Sequence, residues 1–170
     1  MPFAYYARLS KRQQAIYDRS DGVVQIRLLE PQFLRPLVHD LAKGLALEDR
    51  DLLEAAGQRL VDGLTRELRV VPVRVEVLAV RPHAHWGELH GLYTEGRGGR
   101  RPKITVWMRT ARQKRVVAFR TFLRTLLHEV DHHLDYRLLR LADSFHTEGF
   151  YKRESSLFHQ LVESDEPNDT

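Results

Sequence analysis

Apolar residues recur every three or four positions in two long segments of the chain, and this spacing predicts two amphipathic helices. The first segment, residues 48–68, has one apolar face and acidic residues in its first turn, where the helix dipole favours them. The second runs from Val116 to about Asp143 and contains no residue that would break a helix. Three shorter helices are predicted at residues 11–18 after the capping residue Ser10, at 31–45, and at 146–162, where the helix is entered near Thr147.

Between these helical segments the hydrophobic period shortens to two residues, which is typical of strands. In residues 70–80, "VVPVRVEVLAV", alternate valines are predicted to form one buried face. Residues 87–94 and 103–110 predict two more strands, and the Gly-rich basic loop "EGRGGRRPK" between them is predicted to be a solvated hairpin connection. A further strand is predicted at residues 23–29. The sequence therefore predicts an α+β fold.

Composition narrows the class of protein. The 170 residues are enough for one domain with a core, and 42% hydrophobic and 29% charged residues are ordinary for a globular protein. No apolar run approaches the ~20 residues that span a bilayer. The N-terminus also lacks the apolar stretch of a signal peptide, so we expect a cytoplasmic protein without a membrane partner. Because the chain has no cysteine, any metal must be bound by His, Asp or Glu.

We expect residues 1–170 to form a single domain. Its N-terminal segment, residues 1–47, is predicted to be mainly helical, and the sequence assigns it no role. The last eight residues, 163–170, read "ESDEPNDT" and are predicted to be a disordered acidic tail.

The most informative motif is "HEVDH", at residues 128–132. On a helix, residues four apart share a face, so His128 and His132 can direct two imidazoles at one metal ion. Glu129 is rotated by about 100° from His128 and lies beside the pair, where a carboxylate can take a proton from a metal-activated water. This pattern is the signature of a zinc peptidase. We therefore expect His128 and His132 to bind one Zn²⁺ and Glu129 to be the catalytic general base of peptide-bond hydrolysis.

A catalytic zinc site needs a third protein ligand and one open position. Three downstream residues are candidates: His146, Glu148 and Glu154. We prefer His146, because a neutral imidazole suits zinc well, but carboxylate ligands are common and the two glutamates remain alternatives.

Other polar side chains near the motif have possible supporting roles. We expect His133 to be exposed or to support a ligand rather than to be one. Asp131 and Asp135 are candidates to orient a ligand imidazole. Candidates to donate a hydrogen bond to the oxyanion of the reaction are Tyr136, Tyr151 and Arg153.

The stretch "HEVDHHLDYRLLRLADSFHTEGF" resembles the active-site segment of the SprT-like (Spartan-type) zincin metallopeptidases. In that family a third histidine follows HExxH in an H-G-x-x-F context at the start of the next helix. Here His146 follows His132 by fourteen residues and Phe150 keeps the spacing, whereas Thr147 replaces the glycine. The resemblance covers roughly residues 48–155. It implies a zincin-like domain, with a small twisted sheet, a backing helix and an HExxH active-site helix, and a third ligand at His146.

The resemblance also bears on partners. It implies a peptide or unfolded-protein substrate, which we expect to pair with an exposed edge strand at residues 87–94 or 103–109. Spartan-type enzymes act on proteins attached to DNA. A net charge of +4 and the basic cluster Arg97, Arg100, Arg101 and Lys103 would permit weak, non-specific DNA contact. The alternative function is a DNA- or protein-binding module with a structural or vestigial zinc site, although no recognised DNA-binding motif is present.

Overall fold

Five α-helices and five short strands make up the part of the chain that the computed structural model describes, residues 1–85 and 87–162. The helices are α1 (Lys11–Asp21), α2 (Arg35–Ala46), α3 (Arg50–Glu67), α4 (Phe119–Arg137) and α5 (Glu148–Leu161). The strands are β1 (Arg74–Val80), β2 (His83–Ala84), β3 (Gly87–Glu88), β4 (Gly91–Thr94) and β5 (Lys103–Arg109). These elements confirm the predicted α+β class. The predicted acidic tail, residues 163–170, lies outside the described residues.

The main sheet is mixed and has the strand order β1-β5-β4. Strand β5 lies in the centre, parallel to β1 and antiparallel to β4. The alternating valines of β1 are buried as predicted at Val75 and Val77, which lie beside Ile104 and Val106 of β5. These residues form one continuous hydrophobic core with the leucines of α3 and α4. The core therefore holds α4, the helix that carries the HEVDH motif, against the sheet.

The strand predicted at residues 23–29 is wrong. The segment is extended and alternately buried, with Ile26 and Leu28 inside, but it pairs with no strand among the described residues. Its main chain is bonded instead by side chains of α5, mainly that of Gln160: Gln160 Nε2 donates to the Ile26 carbonyl at 2.7 Å, and Leu28 N donates to Gln160 Oε1 at 2.8 Å. The sequence alternation reflects packing against a helix, because a side-chain amide can satisfy the groups that a partner strand otherwise would.

Several helices and strands begin or end at residues other than those predicted. The strand predicted at 87–94 is divided, because β3 pairs with β2 whereas β4 pairs with β5. Helix α4 is shorter than predicted: Val116 forms a bridge to Arg109, and Arg140 adopts a positive φ of 55° after the helix has ended. The predicted starts of α1 and α5 are confirmed, since Ser10 and Thr147 cap them with their side-chain oxygens.

The N-terminal segment, residues 1–47, packs on both sides of the core. Helix α1 contacts α5 and helix α2 contacts α3. The approach of α1 to α5 is close: a side chain at Gly149 would place its Cβ 2.6 Å from the Asp21 carbonyl oxygen. This contact brings the end of α1 beside the start of α5. Among the helices of the described residues, none combines the length and apolar composition needed to cross a bilayer.

Candidate metal centre

Three imidazoles converge at one end of the cleft between α4 and α5. His128 and His132 project from α4, and His146 comes from the irregular segment that precedes α5. Nε2 of His146 lies 3.1 Å from Nε2 of His128 and 3.0 Å from Nε2 of His132, and all three ligand atoms lie within 4.8 Å of one another. Tetrahedral zinc with Zn–N bonds of ~2.0–2.1 Å requires nitrogens about 3.3 Å apart. The two separations that involve His146 are close to this spacing, so the chemistry and placement of the three residues are suited to a zinc ion.

The partner of His128 determines which of its ring nitrogens faces the centre. Nδ1 lies 2.8 Å from Oε1 of Glu154, which is largely buried. Because an ionised carboxylate only accepts hydrogen bonds, Nδ1 carries the hydrogen and the lone pair of Nε2 faces the other two imidazoles. Glu154 thus holds the His128 ring from the side opposite to the other two imidazoles. Glu148, the other carboxylate considered from the sequence, lies at the surface and pairs with Lys152 at 3.0 Å.

His132 is oriented by a relay through a loop serine. Its Nδ1 donates to Oγ of Ser144 at 2.7 Å, and the Ser144 hydroxyl donates to Oδ2 of Asp135 at 2.6 Å. Asp135, a candidate to orient a histidine, thus reaches His132 indirectly through Ser144, which nothing in the sequence pattern singles out. Burial, together with the charges that His128 and His146 would carry, lowers the pKa of His132 to about 3. This imidazole is therefore neutral at pH 7, the form in which a histidine can bind a metal ion.

Glu129 lies in the same cleft, with its carboxylate against strand β4. A side chain at Gly91 would place its Cβ 2.7 Å from Oε1 of Glu129, so the strand can approach only because residue 91 is glycine. Burial raises the pKa of Glu129 to about 7, with a smaller opposing effect from His128. A carboxyl group with a pKa near the working pH is well suited to accept and return a proton.

Two adjoining cavities, of about 430 and 350 Å³, meet at Gly91, His128 and Glu129. The larger extends along α4 toward Thr121 and Glu154. The smaller is lined by the other two histidines of the cluster and by two tyrosines: His132, His146, Tyr93 and Tyr136. No residue of the segment 1–47 is among those that line either cavity. The cleft is thus accessible on both sides of Glu129.

His133 does not have the exposed position that we considered for it. It is fully buried, its Nδ1 accepts from the Tyr93 hydroxyl at 2.9 Å, and its Nε2 donates to the Val71 carbonyl at 2.7 Å. Both ring nitrogens are therefore used by the protein core. The ring of Tyr93 in turn stacks on that of His132, with centroids 6.5 Å apart. Any support that His133 gives to His132 is therefore indirect, through Tyr93.

Arg153 is wrong as a candidate oxyanion donor. Its side chain is fully buried and donates to the carboxylates of Asp131 and Asp135 and to the main chain at Ser20 and Val23. It therefore has no free donor for a substrate. The same contacts occupy Asp131, which pairs with Arg153 and orients no histidine. The remaining candidates are Tyr136, which lines the smaller cavity, and Tyr151, whose ring lies 5.7 Å from that of His146.

The centre combines three converging imidazoles, supporting partners for two of them, a buried carboxyl group with a raised pKa, and open space on both sides. These features belong together in sites where a metal ion and a base act on one substrate. The function has to be argued from this chemistry alone. Comparisons of the chain with protein-family models, with curated proteins and with solved structures found no significant match.

Proposed function

We propose that the protein is a zinc-dependent metallopeptidase, an endopeptidase of the zincin class that resembles the SprT-like family. The observation that carries the proposal is the convergence of His128, His132 and His146 beside Glu129 in an open cleft. Nε2 of His146 lies 3.1 Å from that of His128 and 3.0 Å from that of His132. The partners at Nδ1 of His128 and His132 direct the Nε2 lone pairs of both rings toward this point, where a cation can bind them.

The roles of the side chains follow from their positions. His128, His132 and His146 would hold the zinc ion, which when bound would supply a Lewis acid and lower the pKa of a water molecule. Glu129 takes the proton of the attacking water and passes it to the leaving amine. The hydroxyl of Tyr136 or Tyr151 is within the region where a donor could stabilise the developing oxyanion.

Substrates of the proposed enzyme are peptides or unfolded protein. Strand β4 is an edge of the main sheet, and its residues Gly91 and Leu92 line the cleft. An extended peptide paired with this edge would pass both cavities and Glu129. The other strand considered from the sequence, residues 103–109, is wrong for this role, because β5 is central and both of its edges are already paired.

The ligand set gives the first test. We expect the purified protein to bind one equivalent of zinc, and His146→Ala to weaken binding by roughly 100-fold or more, because a ligand is lost. Glu154→Ala should weaken binding by only about tenfold, as expected for the loss of an outer partner. The exposed His159, at the far end of α5, provides the matched control His159→Ala. Zinc affinity is measured by competition with a chromogenic chelator.

The same series can contradict this assignment. If Glu154→Ala abolishes zinc binding while His146→Ala retains it, Glu154 is the ligand and the histidine is not. If the wild-type protein binds zinc no better than His128→Ala does, the metallopeptidase proposal fails.

A second candidate function, DNA contact, is supported by a basic surface beside the β4–β5 loop. A cavity of about 650 Å³ there is lined by Arg74, Arg97, Arg100, Arg101 and Lys103. Among the described residues, no acidic side chain pairs with Arg97, Arg100 or Arg101. Arginines with free guanidinium donors are suited to bidentate contact with phosphate. This surface fits either a peptidase that acts near DNA or a binding module with a structural zinc site.

Replacing the basic cluster tests this candidate. We expect the protein to bind DNA weakly at low salt and without sequence preference, because phosphate contacts release counterions and carry no sequence information. Exchanging Arg97, Arg100, Arg101 and Lys103 for serine should flatten the salt dependence of binding and leave the cleavage of a free peptide unchanged. Failure of the wild-type protein to bind single- or double-stranded DNA at low salt would remove the DNA-linked candidate.

A further inference from the structure

The third ligand of the proposed centre is the least constrained of the three. His128 and His132 project from a helix, and their Nδ1 atoms are bonded to Glu154 and Ser144. His146 lies in an irregular segment and is exposed. Within residues 1–85 and 87–162, its Nδ1 has no hydrogen-bond partner. Its ring packs beside those of Phe150 and Tyr151, with centroids 5.1 and 5.7 Å away, so its position depends on these contacts and on where its main chain is held.

That main chain is held by the N-terminal segment. Tyr5, in a 3₁₀ helix at Ala4–Arg8, donates its hydroxyl hydrogen to the carbonyl oxygen of His146 at 2.7 Å. The next residue, Thr147, is held separately, because its side chain caps α5 by accepting from Phe150 N at 2.9 Å. The main chain at His146 is thus held in two ways. The following residue, Thr147, is fixed at the start of α5, and the His146 carbonyl is bonded to Tyr5, 141 positions away in the chain.

Tyr5 is itself firmly placed. Its ring packs edge-to-face on Tyr17 with centroids 5.7 Å apart, and Tyr17 is fully buried. The Tyr17 hydroxyl accepts from Phe3 N at 2.9 Å, which fixes the start of the chain on α1. Tyr17 also contacts the ring of Phe145, the residue before His146, at 6.3 Å. The aromatic cluster therefore joins the N-terminus to the ligand segment as one packed unit.

We propose that Tyr5 is a positioning residue of the metal centre, which holds the main chain of His146 so that its Nε2 meets those of the other two ligands. The inference rests on the proposed zinc site. It gives the N-terminal segment a role that the sequence does not indicate. Tyr5 holds a ligand of the proposed centre in position, although no residue of the segment 1–47 lines the cleft.

The neighbouring Tyr6 provides a matched control. It belongs to the same 3₁₀ helix, and its ring also packs on Tyr17, at 5.0 Å. Its hydroxyl, however, bonds to Oδ2 of Asp18 at 3.1 Å, and it makes no contact with His146. The substitutions Tyr5→Phe and Tyr6→Phe therefore each remove one hydroxyl and keep both rings, but only the first releases the ligand.

The experiment compares zinc binding and metal-free stability in the two variants. We expect Tyr5→Phe to raise the zinc dissociation constant about tenfold, at the low end for an outer partner, and to change the visible spectrum of the cobalt-substituted protein. Tyr6→Phe should leave both unchanged. Thermal unfolding of the metal-free proteins should shift little in either variant, since each loses one exposed hydrogen bond.

Three results would overturn the inference. If Tyr5→Phe binds zinc as tightly as the wild type, or if Tyr6→Phe weakens binding equally, Tyr5 does not position the ligand, although the zinc site itself stands. If the wild-type protein does not bind zinc, the proposed function and this inference fail together.

Discussion

Glu129→Gln is expected to bind zinc as tightly as the wild type and to cleave a casein-like substrate about 10²–10⁴-fold more slowly, the contribution of a positioned general base. The amide has nearly the shape of the carboxyl group and can occupy the space against Gly91. It cannot accept a proton from water at neutral pH. The ligands are untouched, because Glu129 lies beside them and is not among the three converging residues.

The same variant should be more stable than the wild type when metal is removed. The pKa of Glu129 is raised by burial to about 7, above the ordinary 4.5, so folded protein binds this proton more tightly than unfolded protein does. The contribution of Glu129 to the free energy of unfolding is therefore fully present below about pH 4.5 and is lost as the pH rises toward 7 and beyond. At pH 8 the buried charge lowers the free energy of unfolding of the wild type by up to about 3 kcal/mol. Glutamine carries no charge, so the variant avoids this loss. Urea unfolding with a chelator, at pH 5 and pH 8, measures the difference.

A suitable control for both measurements is Glu148→Gln, at the surface end of α5 and outside the cleft. It should retain wild-type cleavage. Cleavage by Glu129→Gln at the wild-type rate would show that the proposed mechanism is wrong, even if zinc is bound.

Arg153→Met is expected to destabilise the metal-free protein by about 3–5 kcal/mol, because it leaves buried carboxylates without their partner. Arg153 is fully buried and joins Asp131 and Asp135 of α4 to the main chain at Ser20 and Val23. Burial already raises the pKa of Asp131, and the guanidinium opposes that rise. Without the guanidinium, Asp131 and Asp135 must both be protonated or helix α4 must move.

The design includes a control and a partial rescue. Arg120 lies over the ring of Phe158 at 5.2 Å on the exposed side of α4, and Arg120→Met should cost less than about 1 kcal/mol. Adding Asp131→Asn to Arg153→Met should recover part of the loss, since one unpaired charge is removed. If the free energy of unfolding of Arg153→Met lies within about 1 kcal/mol of the wild-type value, the buried network does not stabilise the fold as we infer.

The sequence alone determined the local part of the proposed centre. The spacing of His128 and His132 places both on one face of α4, and this follows from the helical period whatever surrounds the helix. The caps at Ser10 and Thr147 were equally readable, because a capping side chain bonds to main chain only three residues away. The valine alternation of β1 likewise predicted its buried face.

Only the tertiary structure decided how distant segments meet. It placed Glu154 behind His128 and His146 in front of it, inserted Ser144 between His132 and Asp135, and made β5 central. It also turned residues 23–29 from a predicted strand into a segment bonded by Gln160. Local periodicity depends on neighbours in the chain, which a sequence displays directly. Contacts between remote residues depend on how whole helices and strands pack, and no short pattern encodes that.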